Sequence, residues 1–392
     1  KKIRKCIQSV DSVKKVMLFG GLELICDAMR NHRDKNILQA EACCTLAELL
    51  WVLPNISTKV AHLGGIDLIV DAIRSCPNTF KVQQMGCAAL VALTYDTNRI
   101  EDIINAGGLR AVIAAMERFP KKLPVQKEGC YFLQNLIVQF PDTASAVSDS
   151  QVVPIIVEAM SHANSDSDIL LSVCGFLANL ALNRKAKALI VKSNAIPAVI
   201  TVMNTTDDVD VKQSACSVLK NLALASKENQ TRISETGGLD AVFGIFRSNP
   251  NDPLLLVKSF NLMKELCIND EEVAYKIVRS GGIKIILKAM TTFVDLAAIQ
   301  IAACEVIGFL PLKGKEMNHA PSLANAVIAA MKNHSNAVDV QIHACDTLFE
   351  LSQVPTTRPI LKKEETQKLL LRAKNDFNCE SDVDDIFDAC QK

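Results

Sequence analysis

Gly20-Gly21-Leu22, Gly64-Gly65-Ile66, Gly107-Gly108-Leu109, Gly237-Gly238-Leu239 and Gly281-Gly282-Ile283 recur at offsets of 44, 43, 130 and 44 residues, the 130 being three periods. Degenerate copies, Val152-Val153-Pro154 and Asn194-Ala195-Ile196-Pro197, fill the gap. Each Gly pair opens an apolar run that closes about nine residues later, as in Ala28-Met29, Ala115-Met116 and Ala289-Met290. A polar turn follows, for example Asn249-Pro250-Asn251-Asp252. A longer apolar segment then carries a fixed residue: Cys43, Cys87, Cys130, Cys174, Cys216, Phe260, Cys304 and Cys345, in steps of 41 to 44. In most copies Leu stands three and six residues later, as with Leu133 and Leu136, which places both on one helical face.

Each unit therefore reads as a short helix, a Gly-Gly break, a second helix, a polar turn and a long third helix. A Gly pair lets the backbone bend sharply and lets helices approach closely. One unit cannot bury its apolar face alone, so neighbouring units stack and share a continuous core.

This three-helix unit, with its period near 43 and its Gly-Gly joint, resembles the armadillo repeat. The HEAT repeat has a similar period but two helices and no regular Gly-Gly break. The resemblance implies an all-α, right-handed α-solenoid (superhelix) of about eight armadillo-type repeats over residues 1–354. Residues 355–392, with Lys362-Lys363-Glu364-Glu365 and the acidic run Asp382, Asp384, Asp385 and Asp388, read as a helical C-terminal cap with an acidic tail. The tail's acidic and apolar segment is also a candidate to fill the groove as a built-in ligand.

Composition agrees with helix-on-helix packing. Hydrophobic residues make up 49% of the 392 residues, aromatics only 5%, so the core is aliphatic. Lys plus Arg equals Asp plus Glu, 43 each, which gives no general attraction to nucleic acid or anionic membranes. No apolar run approaches the roughly 18 residues of a membrane span. The N-terminal Lys-Lys-Ile-Arg-Lys-Cys lacks an initiator Met and a signal-type apolar stretch, so a larger parent chain is expected.

Seven of the fourteen cysteines share one repeat slot. Packed helices lie roughly 10 Å apart, too far for disulfides between copies. No Cys-x-x-Cys pair occurs. The repeat cysteines are therefore read as small buried apolar side chains in a reducing compartment, cytoplasmic or nuclear, and no metal is expected. Cys379 and Cys390, in the tail, are expected at the surface. No nucleophile elbow, His-Glu-x-x-His, phosphate loop or dinucleotide fingerprint occurs, and no cofactor is implied. His32, His162 and His334 fall in or near the same inter-helix turn, where His bonds terminal carbonyls. The chain is expected not to be an enzyme.

In armadillo solenoids the third helices line the concave surface. The resemblance implies that an Asn near the end of that helix holds a bound peptide's backbone, its amide offering both donor and acceptor. That slot, five residues after the repeated cysteine, holds Glu48, Ala92, Asn135, Asn179, Asn221, Glu265, Phe309 and Glu350. Three consecutive Asn residues are notable in a helix, where Asn is a poor former. The other reading is a helix-end cap or an inter-helix bond. Nuclear-import adaptors of this family place a Trp four residues earlier. Here those positions are Tyr131, Gly175 and Ser217, so a Trp array that sandwiches lysine stems is missing. The single Trp51 is expected to pack against the next turn. Glu265, Glu305, Asp346 and Glu350 lie toward the C-terminus, and Lys127, Lys212, Lys220 and Lys258 toward the middle. This polarity would orient a partner with its basic part toward the C-terminal units. The expected function is binding of a protein or extended peptide segment along this groove. The alternative is a scaffold or regulatory region of a larger protein that grips folded partners or self-associates.

Overall fold

The computed structural model describes residues 9–163, 166–268, 270–377 and 379–391, and every regular element among them is helical. Cys6 and the rest of the N-terminal basic segment lie outside the described residues.

Repeat 2 shows how the sequence makes a unit. The short helix Ser57–His62 ends at Gly64, which turns the chain with φ +72°, in the left-handed region that glycine enters without penalty. Gly65 then begins the second helix, Gly65–Ser75. A Cβ on Gly65 would lie 2.6 Å from Val60 Cγ1 and 2.8 Å from the Val60 carbonyl oxygen, so only glycine allows the two helices this contact. In the degenerate copy Asn194 takes the left-handed turn at φ +62°, a conformation Asn tolerates better than most residues.

The third helices are α1 (Asn36–Val52), α2 (Phe80–Thr94), α3 (Leu123–Gln139), α4 (Ser167–Leu180), α5 (Val209–Ala223), α6 (Pro253–Cys267), α7 (Ala297–Ile307) and α8 (Val338–Ser352). The tail adds α9 (Glu364–Phe377) and α10 (Glu380–Gln391). Repeat 8 departs from the three-helix pattern. After α7 the chain passes through a 3-10 stretch, Gly314–His319, straight into one longer helix, Ala320–Asn333.

A buried glutamine ties the second helix to the third in five repeats. Gln39, Gln83, Gln126, Gln300 and Gln341 each stand four residues before the repeated cysteine. Gln83 Nε2 donates to the carbonyls of Ile73 (2.8 Å) and Cys76 (3.0 Å). The other four make the same pair of bonds at 2.8–3.0 Å. Terminal helix carbonyls have no partner within their own helix, and these amides supply one. Repeat 5 has Lys212 at that slot, and Lys212 is buried there instead of lining a groove.

The seven repeat cysteines are buried, and burial pushes the thiols of Cys43, Cys174 and Cys304 up to about 12. Cys379 and Cys390, expected at the surface, are buried as well, because the apolar face of α10 packs Val383, Ile386 and Cys390 inward. Two of the three turn histidines bond carbonyls: His162 Nδ1 donates to Glu158 (2.9 Å) and His334 Nε2 to Val294 (2.8 Å).

The chain divides into two compact units, Lys1–Val218 and Leu219–Lys392, the boundary falling inside α5. Within unit 1, α1 packs on α2, α2 on α3 and α3 on α4. Within unit 2, α6 packs on α7, α7 on α8 and α8 on α10. The tail helix α10 thus lies beside α8 as a further third helix would, with Asp384, Asp385 and Asp388 turned to solvent.

Candidate functional site

The ends of the third helices carry the residues that sequence singled out. In unit 1, Asn135 on α3 is half-buried and its Nδ2 donates to Thr94 Oγ1 of α2 (2.8 Å), joining neighbouring repeats. Asn179 on α4 is half-buried. Tyr131 lies one turn before Asn135, and burial, with Asp168 and Glu128 nearby, raises its phenol. A Cβ on Gly175 would come within 2.5 Å of Gln134 Oε1, so the place a Trp takes in import adaptors is filled here by a glutamine amide. In unit 2, Asn221 is buried and Lys220 half-buried.

A second row was not recognised from sequence. Eight residues after the repeated cysteine stand Trp51, Tyr95, Val138 and Leu182 in unit 1, and Leu224 and Ile268 in unit 2. All six are between 39% and 64% exposed, at or just past the ends of their helices. Single exposed apolar residues are ordinary, but the same slot filled in six successive repeats is not. Val138 is three residues after Asn135 on α3, so amide and apolar side chain share a face. Trp51, expected to pack against the next turn, instead meets Tyr95 at the same slot of the next repeat, with ring centroids 5.0 Å apart, and stays exposed. The signal was present in the sequence as a period, masked because the residue type varies among aromatic and aliphatic.

Unit 2 brings three of the acidic candidates together. Glu305 on α7 and Asp346 and Glu350 on α8 line a cleft of about 500 Å³, with Phe309, Phe349 and Asp382 of α10. Lys264 Nζ lies 3.0 Å from Glu305 Oε1 and 4.0 Å from Glu265 Oε1. Glu265 itself is buried and outside the cleft lining. His343 Nδ1 lies 3.8 Å from Asp346 Oδ2. Burial, then the charge of Asp382 and a hydrogen bond with it, raise the Asp346 carboxyl above its usual range, with His343 opposing. Four carboxyl groups thus face one lysine across the cleft. Among the described residues no cluster of three or more His, Cys, Asp or Glu side chains is arranged to hold a metal ion. No single described helix is long and apolar enough to cross a membrane.

Residues 183–224 match the armadillo/beta-catenin-like repeat family. No curated protein matches the sequence. Among solved structures, an engineered protein is similar over 100% of this chain and 94% of its own, at 18% identity and a TM-score of 0.81. A second engineered protein covers 62% of this chain and 98% of its own, at 22% identity and a TM-score of 0.53. A designed armadillo repeat protein covers 62% of this chain and 99% of its own, at 16% identity and a TM-score of 0.53. At these identities the likeness is one of fold. The repeat period, the Gly-Gly joints, the three-helix units and these structural likenesses give the chain the fold of armadillo-repeat α-solenoids, and residues 183–224 carry the family's repeat.

Proposed function

We propose that this chain is a non-catalytic protein-binding module that holds an extended segment of a partner protein along the ends of its third helices. One observation carries the reading: the row of exposed apolar side chains at a single repeat slot, Trp51, Tyr95, Val138 and Leu182 in unit 1. An extended chain rises about 3.3 Å per residue, so third helices roughly 10 Å apart meet every third residue of a segment laid across them. The side-chain amide of Asn179 and the side-chain oxygen Oδ1 of Asn135 stand beside that row as partners for the segment's backbone. Within unit 2, the cleft of Glu305, Asp346, Glu350 and Asp382 takes a basic segment. A cation there offsets the repulsion between Asp346 and Asp382. A protein with buried thiols of this kind belongs to a reducing compartment, the cytoplasm or nucleus.

The test is an unbiased screen of extended peptides displayed against the whole chain. Two folded variants run beside it: Tyr95→Ser with Val138→Ser and Leu182→Ser, and the triple change Asn135→Ala, Asn179→Ala, Asn221→Ala. The reading expects peptides with apolar residues at three-residue spacing, lost or weakened about tenfold in the first variant. Wild-type protein that selects no peptide, or peptides indifferent to both variants, would end it.

A further inference from the structure

The row of Trp51, Tyr95, Val138 and Leu182 in unit 1 restricts the backbone conformation of a chain laid along it. Tyr95, Val138 and Leu182 each have a repeat on either side, so their exposure does not come from an end of the array. Packed helices lie roughly 8–10 Å apart, and the row offers one apolar side chain per helix. In a β-strand successive side chains point to opposite faces, so residues i and i+3 face opposite ways. A β-strand that meets one slot with its first residue turns its fourth away from the next slot. A polyproline II helix has three residues per turn and rises about 3.1 Å per residue, so every third side chain returns to the same face about 9.3 Å further on. Such a helix meets each slot of the row in turn.

The surface beside the row suits a proline-rich chain. Residues 43–52, 87–94, 130–139 and 174–180 form the second halves of α1 to α4, and Glu48 is their one charged residue. In unit 2 the same halves hold Lys264, Glu265, Glu305 and Glu350. Charge complementarity in unit 1 therefore favours a segment that is uncharged except for one cation at the Trp51 end, beside Glu48. Trp51 and Tyr95 are 54% and 58% exposed, and their ring centroids lie 5.0 Å apart. Grooves lined by exposed aromatic rings take prolines on the ring faces. The polyproline II backbone makes no internal hydrogen bonds, and the Trp51 N–H and Tyr95 O–H are donors for its carbonyls.

We propose that unit 1 takes its partner segment as a left-handed polyproline II helix, one apolar side chain per turn meeting each third helix from α1 to α4. The occupant is a proline-rich segment of another protein, uncharged apart from a basic residue at the Trp51 end. The 392 residues hold no three prolines at successive three-residue spacing of their own. The proposal rests on the reading of this row as a binding surface for an extended segment, and it adds the conformation and composition of that segment.

Two fluorescein-labelled peptides separate the two claims: Arg followed by four Leu-Pro-Pro units, and Arg followed by four Leu-Thr-Thr units. Both place Leu at every third position. Proline holds itself and the residue before it in the extended polyproline region, whereas Thr favours the β-strand. Each peptide is titrated by fluorescence anisotropy into the whole chain and into Tyr95→Ser with Val138→Ser and Leu182→Ser, whose fold is checked by its thermal unfolding curve. The expected result is saturable binding of the proline peptide by wild type. That binding should be about tenfold or more tighter than for the threonine peptide, and weakened about tenfold or more in the variant. A threonine peptide that binds wild type as tightly as the proline peptide overturns the polyproline II conformation and leaves the extended-segment reading standing. Proline-peptide binding of equal strength in wild type and variant, or none at all, also overturns the proposal, and the extended-segment reading is then decided by the peptide screen.

Discussion

The beginnings and the ends of the third helices differ in a way that separates structure from use. At the beginning, the slot four residues before the repeated cysteine holds Gln in five repeats, always buried and always bonded to the same two carbonyls. Near the end, the slot five residues after it holds Asn, Glu, Ala or Phe, from buried Asn221 to exposed Glu350. Where this position clamps the turn it uses one chemistry, and in the other three repeats Leu170, Lys212 and Leu256 take the slot. The slot five residues after the cysteine varies in both chemistry and burial: Ala92, Asn221 and Glu265 are buried there, while Phe309 and Glu350 are exposed.

The comparison breaks first if the glutamine is dispensable. Gln83→Leu leaves the carbonyls of Ile73 and Cys76 without their donor in a buried setting. It should cost about 2–4 kcal/mol, read from urea unfolding. The two unit 1 asparagines sharpen it further. Asn135→Ala loses the bond to Thr94 and should cost about 1 kcal/mol. Asn179→Ala should stay within about 0.5 kcal/mol while weakening any peptide. Equal costs for the pair would mean that both asparagines are structural.

The cysteines give a smaller, kinetic effect. With thiols pushed up to about 12 by burial, as at Cys43 and Cys304, the thiolate fraction at pH 8 is on the order of 1 in 10⁴. Disulfide-reagent labelling of the native protein should therefore be slow at the repeat cysteines and become fast in denaturant. Rapid native labelling at Cys130 or Cys174 would contradict their placement.

The smallest effect is the pH dependence of Asp346. Its carboxyl is held above the ordinary value of 3.8 in the folded chain, by burial first and then by Asp382. The folded state therefore keeps a proton that the unfolded state releases. The resulting stabilisation is fully present below the unfolded value and is lost as pH rises through the raised folded one. Asp346→Asn should flatten that decline in stability above about pH 4, measured by urea unfolding across a pH series. The change should be slight, because the side chain is half exposed and screened by solvent.

Much of the fold was legible because periodic residues report backbone requirements. Gly64-Gly65 marks a left-handed turn followed by a contact too close for a side chain, and Cys87 marks a tight, dry helix crossing. The glutamine clamp was equally periodic, but its meaning depends on carbonyls seven and ten residues away, which only the folded turn brings near. The candidate site was read less fully. Spacing placed Asn135 at a helix end, but not its bond to Thr94 of another repeat. Glu305, Asp346 and Glu350 were identified as one acidic region, but Asp382 joins them only because α10 packs beside α8. Glu265 and Lys212 have charges that sequence alone places in water and that packing buries.

The most direct test of the third-helix ends as a binding surface is a calorimetric titration. An extended, proline-containing peptide of Lys, Arg and Leu is titrated into the wild type and into Glu350→Lys with Leu182→Ser, both changes at exposed side chains. Measurable binding by wild type, weakened about tenfold or more in the folded variant and by added salt, is the predicted result. Binding of the same strength in both proteins, or a wild-type preference for the acidic counterpart of the peptide, would contradict it.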